Sequence, residues 1–540
     1  MRRSVYAVLI FLTGNLLATA YDTARAAPVV DAPDQCKALE RIDLSQIPDA
    51  LTQIIKAYTQ KAGNGTPAYC DVSGYVAPSI RFRLQLPDGS WNGKFIELGC
   101  GGTCGTTEHI AECNDPLRRG YACIVSDGGN SSSGGDMKWA YNSPDAVIQY
   151  VVRASHVTAV VGKTIAERFY GKQPSQSYFM GCSAGGMQGM MEAQRFPWDF
   201  DGIVAGDPSL SVSEDWLNLV WTHRALVNDS GDAVLSQKDL EVLHKAVVAE
   251  CDLNDGVKDG VIGDPRRCSF APEKLSCSAR KGEECLSSTQ IEAIRRIYGG
   301  PVTSKGMSIT APHVFAGSEL GWLNWFGGSD RAPTGTYAYT PEWFRYYLFQ
   351  PNPGPSWTIK NVDFDRDYQR FGMAELTEPL NPDLRRMQRR NGKLILYTGW
   401  NDAVAGVGRA IDYYESAEKL IGGRTRTQDF FRLFVIPGMN HCTGGDGPFA
   451  IDYLSSLEAW VEKGRAPNEL IGSHVMIDDL MDKAAKGDAE AWQMLQRRLQ
   501  FPLDAASVDF SRPIYPYPTQ AHYLGHGNPR DAASFGASLP

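Results

Sequence analysis

The chain has 540 residues, 43% hydrophobic and 10% aromatic, with 62 acidic against 53 basic side chains and a formal charge of -9. Those values describe a globular chain larger than one ordinary domain and exclude a disordered one. An acidic balance without a basic run excludes a nucleic-acid binder.

The N-terminus reads Met1-Arg2-Arg3, an apolar stretch over residues 5–20 and then small residues, which predicts a secretory signal cleaved after Ala20 or Ala26. Removing residues 1–26 takes away Arg2, Arg3, Arg25 and Asp22 and leaves a charge of about -11. No later stretch is long enough to span a bilayer, so a soluble mature chain, secreted or periplasmic, is expected. All twelve cysteines lie downstream of the signal, which fits an oxidising compartment. Zinc is the competing use, and the lack of a Cys-x2-Cys pair argues against it.

Cys36 and Cys70 bracket a segment that reads as helical. Residues 80–86 and 93–98 read as two strands joined by a turn. The second strand runs into Gly99-Cys100-Gly101-Gly102-Thr103-Cys104-Gly105, a loop whose glycines allow close backbone approach to a ligand. Cys100, Cys104, Cys113 and Cys123 cluster here, and three pairings are open to them; Cys123, in an apolar run, is alternatively a buried free thiol. Residues 145–170 read as a long helix, in which His156 is a packed structural histidine rather than a second base.

Tyr178-Phe179-Met180-Gly181-Cys182-Ser183-Ala184-Gly185-Gly186 then carries an apolar strand into Gly-x-Ser-x-Gly and on into a helical run. This is the pattern of a nucleophile elbow, in which a sharp strand-to-helix turn leaves the Ser183 hydroxyl exposed above a sheet. Asp201-Gly202-Ile203-Val204-Ala205-Gly206-Asp207 reads as the next core strand. From 209 to 383 the pattern changes to many turns and six tryptophans, an insertion placed where an α/β-hydrolase accepts a lid. Cys251 with Cys268 and Cys277 with Cys285 close short loops in it, which suits a unit with little core of its own. Inside the first loop, Asp252-Leu253-Asn254-Asp255-Gly256-Val257-Lys258-Asp259-Gly260-Val261 brings together three carboxylates that repel one another unless a hard cation lies among them.

Two more apolar strands follow, 393–398 ending at Asp402 and 431–436 ending at His441. Ser183, Asp402 and His441 stand in the order this fold uses for nucleophile, acid and base. Cys182 immediately precedes the serine and Cys442 immediately follows the histidine. If the serine and imidazole are neighbours, those two cysteines are close enough to form a disulfide that tethers the histidine loop to the elbow.

The Cys-Ser, Asp, His-Cys arrangement, with Gly181-Cys182-Ser183-Ala184-Gly185-Gly186 and Pro437-Gly438-Met439-Asn440-His441-Cys442-Thr443-Gly444-Gly445, resembles the tannase and feruloyl esterase family from about Cys36 to the C-terminus. The resemblance implies a Cys36–Cys70 bridge and an oxyanion hole made by the Gly102 and Ala184 amides. It also implies a structural calcium ion held by the Asp252, Asp255 and Asp259 side chains and the Val257 and Val261 carbonyls. Trp325 resembles an aromatic substrate contact in a terephthalate-ester relative. That relative also uses a lid arginine, which neither Arg331 nor Arg345 clearly matches, and Ala405 stands where it carries a bulky aromatic. Tyr515 and Ala537 stand where relatives carry a cysteine pair, so the tail after Asn528 is expected to be less well anchored.

The expected protein is thus an α/β-hydrolase with a signal peptide over 1–26, a catalytic domain over 27–208 and 384–540, and a lid over 209–383. Its expected chemistry is hydrolysis of small aromatic esters by a serine esterase. A terephthalate half-ester hydrolase is the alternative within the class, and a non-catalytic calcium-stabilised secreted binding protein is the competing class.

Overall fold

A computed structural model describes residues 32–63, 65–132, 135–278, 284–329, 335–485 and 488–539. The expected signal segment lies outside them. A nine-stranded sheet forms the centre: β1 Thr52–Gln60, β2 Tyr69–Val76, β3 Ile80–Pro87, β4 Lys94–Leu98, β5 Ala122–Ser126, β6 Gln176–Cys182, β7 Gly202–Gly206, β8 Lys393–Gly399 and β9 Phe431–Ile436. Their order is β1-β2-β3-β5-β4-β6-β7-β8-β9. The first three strands and β5 pair antiparallel, and from β5 onward every pair is parallel. β3 and β4, expected as strands joined by a turn, are therefore not neighbours; β5 lies between them.

β5, β7 and β8 are buried along their whole length, which explains their nearly unbroken apolar sequence. Alternate residues serve opposite faces. Phe179, Ile203, Leu394 and Leu396 enter one core with helices α1 Ala154–Tyr170 and α2 Ala184–Arg195, whereas Tyr178, Val204, Ile395 and Tyr397 enter the other with the helix Tyr453–Lys463. Each such aliphatic side chain contributes about 1.5–3 kcal/mol by leaving water. The result is an α/β-hydrolase fold.

Several expectations change. The segment after Cys36 is helical only over Ala32–Ala38 and a following 3-10 turn, because residues 52–60 join the sheet as β1. The long helix over 145–170 is a short helix Pro144–Ile148, a π-helical turn Gln149–Arg153 and then α1. The C-terminal tail is anchored: Phe535–Ser538 pairs with Gln520–Tyr523, and Arg512 lies over the Phe535 ring.

Between β7 and β8 no strand joins this sheet among the described residues. The inserted segment carries helices α3 Val212–Leu226, α4 Gln237–Cys251 and α5 Ser288–Gly299. It has a substantial core rather than a small one: Trp322 is fully buried, Trp216 stacks on Trp343, and Phe344 stacks on Trp357. That core runs on without a break to Met187 and Met191 of α2, so the insertion is packed onto the sheet's helices.

All twelve cysteines pair. Four bridges, Cys36–Cys70, Cys182–Cys442, Cys251–Cys268 and Cys277–Cys285, join the residues named above, and Cys100–Cys104 and Cys113–Cys123 complete the set, so Cys123 is not a free thiol.

Candidate active site

Ser183 sits between β6 and α2 with φ 62° and ψ -121°, a strained conformation for a residue with a side chain. Its N–H donates to the Gly206 carbonyl at 3.0 Å and its carbonyl accepts from Met187 N–H at 2.9 Å, so both sides of the turn are pinned. Glycine is required opposite the elbow: a methyl group on Gly186 would come within 2.1 Å of the Gly206 oxygen. Ser183 is half-buried.

Asp402 follows β8 and is fully buried. Its Oδ1 accepts Val404 N–H at 2.8 Å and Ala405 N–H at 3.1 Å, and its Oδ2 lies 2.7 Å from His441 Nδ1. An imidazole that gives its Nδ1 proton to this carboxylate presents Nε2 as an acceptor. Burial lowers the His441 pKa, but the charge and hydrogen bond of Asp402 outweigh it and push the group up to about 9. Cys182 and Cys442 bring the elbow and the base loop together with Cα atoms 5.9 Å apart, across 260 residues of sequence.

The glycine loop after β4 is fixed against α2. Gly99 N–H donates to Met180 O at 2.8 Å, Cys100 N–H donates to Gln188 Oε1 at 3.2 Å, and a methyl group on Gly99 would meet the Gly185 Cα at 2.7 Å. Gly102, with φ 58°, has its carbonyl held by the Tyr150 hydroxyl at 2.8 Å. Tyr150 comes from the π-helical turn Gln149–Arg153, a form that recurs at functional sites. Ala184 is the first residue of α2, where amides have no intrahelical acceptor and are available to an anion.

From the insertion, half-buried Trp325 stands edge-on to His441 with ring centroids 5.3 Å apart. Arg345 is engaged locally, its guanidinium bonding Trp357 O and Glu342, and Arg331 lies outside the described residues. Ala405 is buried beneath Asp402. His156 stacks on Phe196 and hydrogen-bonds Asp199, away from the triad residues, which fits its packed role.

In the acidic loop, Asp252 accepts the Asp259 and Gly260 amides, Asp255 accepts Val257 N–H, and Asp259 pairs with Arg512. Burial and the Asp259 charge push Asp255 up to about 7, the behaviour of carboxylates crowded without enough positive charge. Carboxylate oxygens are the ligand type that a hard divalent cation takes.

Three residues missed by sequence reasoning hold the site together. Tyr150 and Gln188 fix the glycine loop, and Asp207 accepts Gly399 N–H at 2.8 Å and Cys442 N–H at 2.9 Å. Asp207 carried a signal, since it ends a core strand at the same edge as Cys182 and Gly399; the other two lie inside helical runs and carried none.

A family model described as tannase and feruloyl esterase matches residues 64–537. An uncharacterized esterase of Xanthomonas campestris is 30% identical over 567 residues, with 97% of this chain and 92% of the relative covered. A mono(2-hydroxyethyl) terephthalate hydrolase of Piscinibacter sakaiensis is 30% identical over 568 residues, with coverage of 91% and 89%. The crystal structure of feruloyl esterase B from Aspergillus oryzae matches with a TM-score of 0.79 at 24% identity, covering 94% of this chain and 100% of that one, which bears on the fold.

Proposed function

The chain belongs to the tannase and feruloyl esterase family and is a carboxylic ester hydrolase, and on that premise we propose that it cleaves esters of aromatic acids through Ser183, His441 and Asp402. The observation that carries this reading is the bridge between Cys182 and Cys442, flanking a serine on a strained turn and an imidazole bound to a buried carboxylate.

In this mechanism His441 Nε2 accepts the Ser183 proton as the hydroxyl attacks the ester carbonyl. The Gly102 and Ala184 amides stabilise the oxyanion, His441 returns the proton to the leaving alcohol, and Asp402 fixes the ring and stabilises its charged form. Water, deprotonated by the same imidazole, then releases the acid from the acyl-enzyme. Trp325 supports an aromatic acyl group by offering a flat apolar surface beside the base.

A calcium ion bound by the Asp252, Asp255 and Asp259 carboxylates and the Val257 and Val261 carbonyls would neutralise the acidic loop and stabilise the inserted segment as a lid. No proton or bond in the reaction involves that loop. Six disulfides fit secretion into an oxidising space.

Ser183→Ala should abolish hydrolysis of a chromogenic aryl ester and labelling by a fluorophosphonate while leaving the melting temperature nearly unchanged. Retained turnover would remove Ser183 from the mechanism. Comparing methyl ferulate, methyl gallate and a terephthalate half-ester on one sample decides the acyl group; the likeness to the terephthalate-ester hydrolase favours the third, and Ala405 favours the first two.

A further inference from the structure

Asp207 has no task in that mechanism, yet it reaches the neighbours of the proposed nucleophile and base and the strand end before the proposed acid. It is fully buried and holds φ 34°, a conformation that a residue with a side chain keeps only when its surroundings impose it. Its own N–H donates to Tyr397 O at 2.7 Å, just past the last paired residues of β7 and β8. Its side chain then reaches three loops. Oδ1 accepts Gly399 N–H on the way to the acid, Oδ2 accepts Cys442 N–H beside the base, and Oδ2 lies 3.9 Å from Cys182 Sγ beside the nucleophile. Its carboxyl group also lies against that of Asp402.

Two carboxyl groups in contact inside a protein do not both ionise. Asp402 receives N–H groups from Val404 and Ala405 and faces His441, so the negative charge is best placed there. The ionisable groups around Asp207 are Asp402, His441, Tyr397 and Tyr453. Burial and then the Asp402 charge hold the Asp207 carboxyl group well above the usual range, against the opposing pull of His441. Burial keeps both tyrosines neutral.

We infer that Asp207 is a positioning residue of the reaction centre, a neutral carboxylic acid that donates its O–H to Asp402 while accepting the Gly399 and Cys442 amides. This rests on the triad reading given above. The bond adds one more restraint on the Asp402 carboxylate that orients the imidazole. The Cys442 contact sets the rotation of the adjacent His441. No proton leaves Asp207 during turnover.

The test uses the mature, oxidised enzyme with a chromogenic aryl ester and a full pH profile. Asp207→Ala is expected to lower kcat by about 10- to 100-fold with KM changed by less than about threefold, the signature of a lost alignment. Asp207→Asn, whose amide can donate to Asp402, recovers most of that loss and leaves the midpoint of the acid limb of kcat/KM in place. Unchanged kcat in Asp207→Ala, with only a lower melting temperature, would overturn the inference. So would a fall of about one pH unit in the acid limb of Asp207→Asn, because it would show a negative charge at 207 acting on His441. Where Asp207→Ala fails to fold, Asp207→Asn decides alone. Activity surviving in Ser183→Ala would overturn the triad reading itself, independently of either Asp207 variant.

Discussion

Trp325 of the inserted segment stands at 83° to the imidazole plane of His441, its ring centroid 5.3 Å from the histidine's. On the proposed mechanism the indole borders the space in which an acyl group would be attacked. Trp325→Ala is expected to raise KM for a hydroxycinnamate ester by about tenfold, with a smaller change in kcat. Trp325→Phe, which keeps an apolar face, should recover most of the affinity. Steady-state kinetics on the three proteins checks this.

On the proposed mechanism the charge around His441 sets the working pH. A general base must be neutral to accept a proton, and this group is pushed up to about 9, so acid holds it in the inactive form. On this reading log kcat/KM rises with pH above the ordinary imidazole range and levels off toward about 9. Removing the carboxylate reverses the cause: Asp402→Asn should move the acid limb downward while lowering kcat by about 10,000-fold. Initial rates from pH 5 to 10, corrected for spontaneous hydrolysis, give both numbers.

The Cys182–Cys442 bridge closes 260 residues, for which chain entropy alone allows up to about 5 kcal/mol. Replacing both cysteines with serine should lower the melting temperature and reduce kcat together, because the same bond restrains the unfolded chain and aligns the base loop. A lower melting temperature with unchanged kcat would limit the bridge to stability.

Calcium should act on stability without touching the chemistry. Chelation is expected to lower the melting temperature, added calcium to restore it, and kcat/KM at 25 °C to change by less than about twofold. In Asp255→Asn the melting temperature should no longer respond to calcium. Calorimetry with and without chelator measures the difference.

The strands that end at Ser183, Asp402 and His441 were legible because a strand buried on both faces writes itself into the sequence as an apolar run. The six-tryptophan insertion was legible as an interruption, but not its large core, because its helices bury residues from distant stretches such as Trp216 against Trp343. Partners among the four clustered cysteines were hidden for the same reason: Cys113 and Cys123 meet only once the 3-10 turn Glu108–Cys113 and β5 have packed, which spacing does not encode. Asp207 read as an ordinary strand end, since its role consists of hydrogen bonds to residues 192 and 235 positions away. Tyr150 was hidden by a single π-helical turn inside a run that reads as uniform helix.

The bond between residues 182 and 442 also encircles the whole insertion. A protease that nicks the polypeptide anywhere between β7 and β8 would therefore release neither half. The severed pieces would migrate as one species under non-reducing conditions and separate only when a thiol is added, so clipped and intact enzyme are indistinguishable by size until the bridge next to Ser183 is opened.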